Sequence, residues 1–259
     1  MALFMKLKKK KTRKKYAIKK IICRDMQQLI KQKEQLEFVY SIKHENIMKI
    51  YKAQIKCLDF STYSISVLME LAISDWNNEI IKRSDNNDYY KEKELICILK
   101  QLINGLLFLR NNKIAHRDIK PQNILVFPNN IFKLADFGEA KNINNVVSMR
   151  TLKGCELYMS PTLYWGLLRG KKNIVHNIYK SDIFSLGYCF LYAITLNIFI
   201  LQKIRRLKNS TEIREIINSS INHDIYTPKF IDIICNMVEI DEEKRYDFEK
   251  LNDEIEKLD

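Results

Sequence analysis

Glycine is scarce. The 259-residue chain has six, and none precedes Gly105, so its first hundred residues hold no glycine loop that would let backbone amides close over a phosphate. Six cysteines (Cys23, Cys57, Cys97, Cys155, Cys189 and Cys235) are scattered without CxxC spacing. That speaks against a zinc site or a disulfide framework and points to a reducing compartment, cytoplasmic or nuclear. Acidic residues are in deficit: 31 Asp+Glu against 44 Lys+Arg give a net charge of +13, which suits anionic partners (nucleotide, nucleic acid, acidic lipid) without selecting one. The lysine run from Lys6 to Lys15 lacks interleaved aromatics, so a solvated hairpin turn is favoured over a nucleic-acid site. Long apolar runs are absent but for one. Met1 to Met5 is too short for a signal peptide, whereas Ile183 to Leu201 has nineteen residues without a charge, about the length needed to cross a bilayer.

What is present centres on KIAHRDIKPQNILVFPNNIFKLADFG, Lys113 to Gly138. Two β-type runs, Asn123 to Phe127 and Phe132 to Asp136, flank Pro128-Asn129-Asn130, which predicts a hairpin. His116, Arg117, Asp118, Lys120 and Asn123 stand before the first strand and Asp136 ends the second. Two carboxylates, an amide and a lysine would converge beside one hairpin. Such an oxygen set suits Mg²⁺, leaves one carboxylate as a base for a hydroxyl proton, and lets the lysine neutralise phosphate charge.

This stretch resembles the protein kinases. HRDIKPQN at 116–123 is similar to their catalytic loop and DFG at 136–138 to their metal-binding motif. The resemblance implies a two-lobed α+β fold, with a small β-rich N-lobe over residues 1–72, incomplete at its first strand, and a large helical C-lobe over 73–259. It implies ATP and Mg²⁺ as cofactors and a protein serine or threonine as acceptor. By match, Asp118 is the base, Lys120 holds the transferred phosphate, and Asn123 and Asp136 bind Mg²⁺. His116 and Phe137, with Val39 and Ile50, would stack as a spine joining the lobes. YKSDIFSLG at 179–187 resembles the start of the long buried helix of the C-lobe, so the charge-free run reads as core, with Asp182 capping the helix and binding the HRD backbone.

Toward the N-terminus, YAIKK at 16–20 resembles the strand whose lysine, here Lys19, meets the α- and β-phosphates. Ala17, Met69, Glu70, Ala72 and Leu125 would line the same nucleotide pocket, with Met69 as gatekeeper and the backbone of Glu70 to Ala72 meeting the adenine edge. A helix is expected at roughly Met26 to Ser41. Gln35 stands where the family has the Glu that pairs with the strand lysine, and an amide gives up the charge-assisted part of that bond. The family's glycine-rich loop would precede this hairpin. Either the chain is an N-terminally incomplete copy or the lobe grips nucleotide weakly.

Ile73 to Tyr90 reads as a polar link at the lobe boundary. Leu95, Leu99, Leu102, Leu106 and Leu109 then predict an amphipathic helix over Lys91 to Arg110. TLKGCELYMSP at 151–161 resembles the end of an activation loop, placing Thr151 where a regulatory phosphate would recruit Arg117. Two residues depart from the pattern. Cys155 replaces a threonine whose hydroxyl bonds the catalytic Asp and Lys, so a weak thiol contact is expected. Thr162 replaces the Glu that anchors the loop to an arginine, here Arg245. The expected function is a serine/threonine protein kinase; the alternative is a pseudokinase or kinase-derived scaffold.

Overall fold

A computed structural model describes residues 2–8, 15–142, 147–151, 155–171 and 173–258, with the backbone alone at 2–8, 38, 142 and 147–151. The basic turn around Thr12 lies outside them. The chain begins with strands β1 (Ala2–Lys8) and β2 (Lys15–Cys23), helix α1 (Met26–Ser41), and strands β3 (Ile50–Cys57) and β4 (Tyr63–Glu70). These strands form one antiparallel sheet in the order β1-β2-β4-β3, with Lys19 opposite Val67 and Ala17 opposite Met69. Alternation along β4 sends Ile65, Val67 and Met69 into the core beneath α1. Asp25 starts α1 by accepting the Gln28 amide at 2.7 Å.

Short strand β5 (Ser74–Asp75) and helix α2 (Trp76–Asp85) follow. The polar link expected at Ile73 to Tyr90 therefore contains a helix. Asp75 caps it through the Asn78 amide, and Trp76 and Ile80, four residues apart, are its only buried pair. Two anchors in ten residues are too few to stand out among Asn and Asp. Helix α3 (Glu92–Asn111) starts with the Lys91 amide donating to Glu94 Oε2 at 3.3 Å and buries the whole leucine stripe. Burial of each such leucine stabilises the fold by about 1.5–3 kcal/mol relative to exposure.

Then come β6 (Ile114–Ala115), β7 (Ile124–Phe127), β8 (Ile131–Leu134), β9 (Lys141–Asn142), β10 (Val147–Thr151), helix α4 (Pro161–Leu168) and β11 (Asn173–Asn177). The β7–β8 hairpin forms as expected, with Asn129 and Asn130 at positive φ in its turn. The remaining elements are helices α5 (Ile178–Thr195), α6 (Ile198–Ile204), α7 (Ser210–Ser220), α8 (Pro228–Met237) and α9 (Phe248–Glu256). A small sheet with one helix thus sits on a larger helical body, the expected α+β arrangement.

The charge-free run does not span anything. It is split at Leu196, a left-handed residue with φ of 52°, between α5 and α6. Sixteen of the eighteen α5 residues are buried against protein, and among the described residues no helix is long and apolar enough to cross a membrane. The cap of α5 is Asn177, whose Oδ1 accepts the Tyr179 and Lys180 amides. Asp182 lies in the second turn and serves the catalytic loop instead, which corrects the capping role read from its place at the helix start.

The segment after α1 is pinned to the helical body. Leu134 donates its amide to the Asn46 carbonyl at 2.8 Å and accepts the Met48 amide at 2.9 Å. Helix α3 approaches so closely that a Cβ at Gly105 would lie 3.2 Å from the Asn46 oxygen.

Candidate active site

A cleft of about 560 Å³ lies between the sheet and the helical body. Ala17, Met69 and Leu125 give it apolar walls, and Lys19, Asn123 and Asp136 give it a polar end. The segment from Glu70 to Ala72 runs along its edge. The structure therefore brings the sequence-predicted pocket residues into one cavity.

At the polar end, Lys19 Nζ donates to Asp136 Oδ1 at 2.8 Å. Asp136 stands two residues after the end of β8, in the left-handed region, φ 56°, a conformation that carries a cost for most residues but glycine. Burial raises the Asp136 carboxyl pKa, yet the ammonium of Lys19 outweighs it and holds the value below the usual range. The side chain is an anion.

The loop before β7 presents Asp118. Its Oδ2 accepts Lys120 Nζ at 2.7 Å and Asn123 Nδ2 at 2.8 Å, and its Oδ1 accepts the Cys155 amide at 3.1 Å. The carboxylate is thus fixed from both sides, by its own loop and by the segment before α4. Asn123 Nδ2 also donates to the Asp118 carbonyl, which leaves Oδ1 of the amide as its acceptor atom. Asp182 Oδ2 accepts the His116 amide and Oδ1 the Arg117 amide, each at 2.9 Å. Arg117 too is left-handed, φ 68°. Two backbone bonds to one buried carboxylate are what hold the loop in that shape.

His116 is fully buried. Its Nε2 lies 3.0 Å from the Ala135 carbonyl and its ring 4.9 Å from that of Phe137. Desolvation lowers its pKa, so it stays neutral and packs, as the spine reading expects. Val39 is buried in the same cluster and Ile50 packs against it.

Comparison with known proteins decides the family. A model described as "protein kinase domain" matches residues 2–254. This chain belongs to the protein kinase family. The chain is 31% identical over 193 residues to the probable serine/threonine-protein kinase nek2 of Dictyostelium discoideum, covering 72% of this chain and 43% of that one. It is 29% identical over 252 residues to serine/threonine-protein kinase atg1 of the same organism, covering 92% and 35%. It is 29% identical over 189 residues to human calcium/calmodulin-dependent protein kinase type IV, covering 72% and 36%. The chain spans less than half the length of each of these relatives.

Where the chain departs from the family pattern, its geometry departs too. Gln35 does not hold Lys19: its Nε2 donates to the Gly138 carbonyl while its Oε1 is buried without a hydrogen-bond partner. The amide therefore ties α1 to the residues after Asp136 rather than to the strand lysine. Cys155 meets Asp118 through its backbone N–H, not through the expected thiol. A main-chain donor is available from any residue but proline, so loss of the hydroxyl leaves that contact in place. Arg245 finds no carboxylate within ion-pair reach among the described residues. Its buried guanidinium instead donates to the carbonyls of Glu239, Lys180 and Ile240, and desolvation pulls its pKa down to about 10. The side chain of Thr151 lies outside the described residues; its backbone pairs with Asn173.

One functional contact had no sequence signal. Lys133 Nζ donates to both carboxylate oxygens of Glu70 at 2.8–2.9 Å, and the Lys49 amide donates to Glu70 Oε1 at 2.6 Å. The expectation for Glu70 concerned its backbone alone. Its side chain ties the cleft edge to β8, through a partner 63 residues away that no local pattern marks.

Proposed function

We propose that this chain is a serine/threonine protein kinase transferring the γ-phosphoryl group of Mg-ATP to a protein hydroxyl. The arrangement of Asp118 carries the reading: a carboxylate fixed by Lys120, Asn123 and the Cys155 amide, joined through Asn123 to the polar end of the cleft that holds Lys19 and Asp136. The kinase family generally uses ATP and Mg²⁺, and the donor set fits them. Among the described residues no group of three or more His, Cys, Asp or Glu side chains could hold a metal by itself. One carboxylate and one amide oxygen, from Asp136 and Asn123, suit Mg²⁺ that takes its other ligands from phosphate and water.

Each residue then has a task. Asp118 would accept the proton of the acceptor hydroxyl as the hydroxyl oxygen attacks the γ-phosphorus and the bond from that phosphorus to the β,γ-bridging oxygen breaks, with ADP leaving. Lys120 neutralises charge on the moving phosphoryl group. Lys19 would turn from Asp136 to the α- and β-phosphates, and Asp136 with Asn123 would hold the cation. Ala17, Met69 and Leu125 enclose the adenine, and the backbone of Glu70 to Ala72 meets its edge. Arg117 would receive a phosphate on Thr151. The lobe boundary falls between Ala72 and Ile73, a protein serine or threonine is the substrate, and the free cysteines suit a reducing compartment, cytoplasmic or nuclear.

Gln35 favours a second reading, since Lys19 without a carboxylate on α1 is less firmly placed: a pseudokinase that binds nucleotide and transfers little. Incubation with labelled Mg-ATP and a generic basic protein, followed by phosphoamino-acid analysis, separates the two. Label on serine or threonine is the expected result. No label, together with Mg-ATP-dependent thermal stabilisation, would establish the second reading.

A further inference from the structure

The family's anchor for the segment before α4 is missing here, because Thr162 stands in place of the acid and Arg245, among the described residues, bonds only the carbonyls of Glu239, Lys180 and Ile240. The segment is nevertheless held. Arg205, just after α6 and only 9% exposed, donates Nη1 to the Leu157 and Met159 carbonyls at 2.9 Å each. Its guanidinium lies 3.8 Å from the centre of the Tyr164 ring on α4. Ser185 of α5 takes the intervening Tyr158 carbonyl at 2.7 Å. Three successive carbonyls are thus captured from below.

We infer that Arg205 is a positioning residue for the phosphotransfer proposed above, anchoring residues 155–159 so that the Cys155 amide stays on the catalytic carboxylate. The path is short and continuous. Leu157 sits inside a single turn, closed by the Tyr158 amide on the Cys155 carbonyl at 3.0 Å and the Met159 amide on the Glu156 carbonyl at 3.3 Å. That turn starts at Cys155, whose N–H reaches Asp118 Oδ1. Arginine serves because one planar group can bond carbonyls at its edge while stacking its face on a ring. The cost of the arrangement is visible: Nε and Nη2 are buried without a partner, and desolvation lowers the guanidinium pKa. A charge kept under those conditions needs a reason beyond filling space.

This inference rests on the kinase reading, and two readouts keep the fates of the two apart. Hydrogen exchange by mass spectrometry on the full chain reports peptides covering 155–160, beside steady-state transfer, for wild type, Arg205→Met, Arg205→Lys and Arg245→Met. Arg205→Met should speed exchange there roughly tenfold, with Arg245→Met leaving it unchanged. Its kcat should fall by about ten- to a hundredfold while KM for ATP stays within about twofold. Arg205→Lys keeps the charge but not the stacked fork and should fall in the same direction; it supplies the comparison if the methionine variant does not fold. Unchanged exchange in the Arg205 variants, or faster exchange with unaltered kcat, would overturn the inference. Wild type that transfers nothing would sink the kinase reading alone, and the exchange data would still decide whether Arg205 is the anchor.

Discussion

Asp182 shows how much a single buried carboxyl group can govern. Its carboxyl is pushed up to about 7 by desolvation, against the opposing pull of the Arg117 and His116 amides. An acid raised in the folded state keeps a proton that the unfolded chain gives up near its ordinary value, so stability falls as pH rises from about 4 to about 7. Wild type should therefore lead Asp182→Asn in urea midpoint near pH 5, and that lead should shrink or reverse above pH 7. A gap that widens toward high pH would mean the carboxylate is ionised in the fold throughout. At this scale the sequence was legible where a residue's task is set by its motif: Asp118, Lys120, Asn123 and Asp136 lie together as their order predicts. It was not legible where the partner is a backbone group or a distant side chain. The Cys155 amide, the Gly138 carbonyl that holds Gln35 and the Lys133–Glu70 pair leave no trace in residue type.

At the scale of elements, α5 is the post to which the site is fixed. Asp182 from this helix bonds the catalytic loop, and Ser185 bonds the segment before α4. Its position depends on close contact with α8, for a Cβ at Gly187 would come within 2.8 Å of Met237 Cβ and Val238 Cγ1 and 3.3 Å of the Met237 carbonyl carbon. Backbone cannot withdraw as a flexible side chain can, so Gly187→Ala should cost about 1–3 kcal/mol and lower Tm by several degrees. An unchanged Tm would show that α8 moves freely. Helices α1 and α3 were readable because each carries a long apolar stripe of helical period. Helix α2 was not, since its two buried residues give no period. The charge-free run shows the limit of hydropathy: its composition suits a membrane, the motif at 179–187 is what marks it as core in the sequence, and the break at Leu196 with burial along α5 agrees.

Across the whole molecule, the sheet and the helical body are joined by a few defined contacts, and the cleft lies between them. The Asn46–Leu134 ladder, the Glu70–Lys133 ion pair and the Lys19–Asp136 pair each link the sheet side to the β7–β8 hairpin or to the residues just after it. In the proposed mechanism the last of these pairs two groups that would both turn to the nucleotide and its cation, so it is where binding and catalysis would meet. The central claim is that this cleft transfers phosphate with Asp118 as base and Asp136 as metal ligand. The most direct test is transfer from labelled Mg-ATP by wild type, Asp118→Asn and Asp136→Ala, with Mg-ATP thermal shifts on each. Wild type should label protein, and each variant should lose transfer by roughly a hundredfold or more. Asp118→Asn should keep its thermal shift, and that of Asp136→Ala should shrink. Equal labelling by wild type and Asp118→Asn, or no labelling by wild type, would contradict the account.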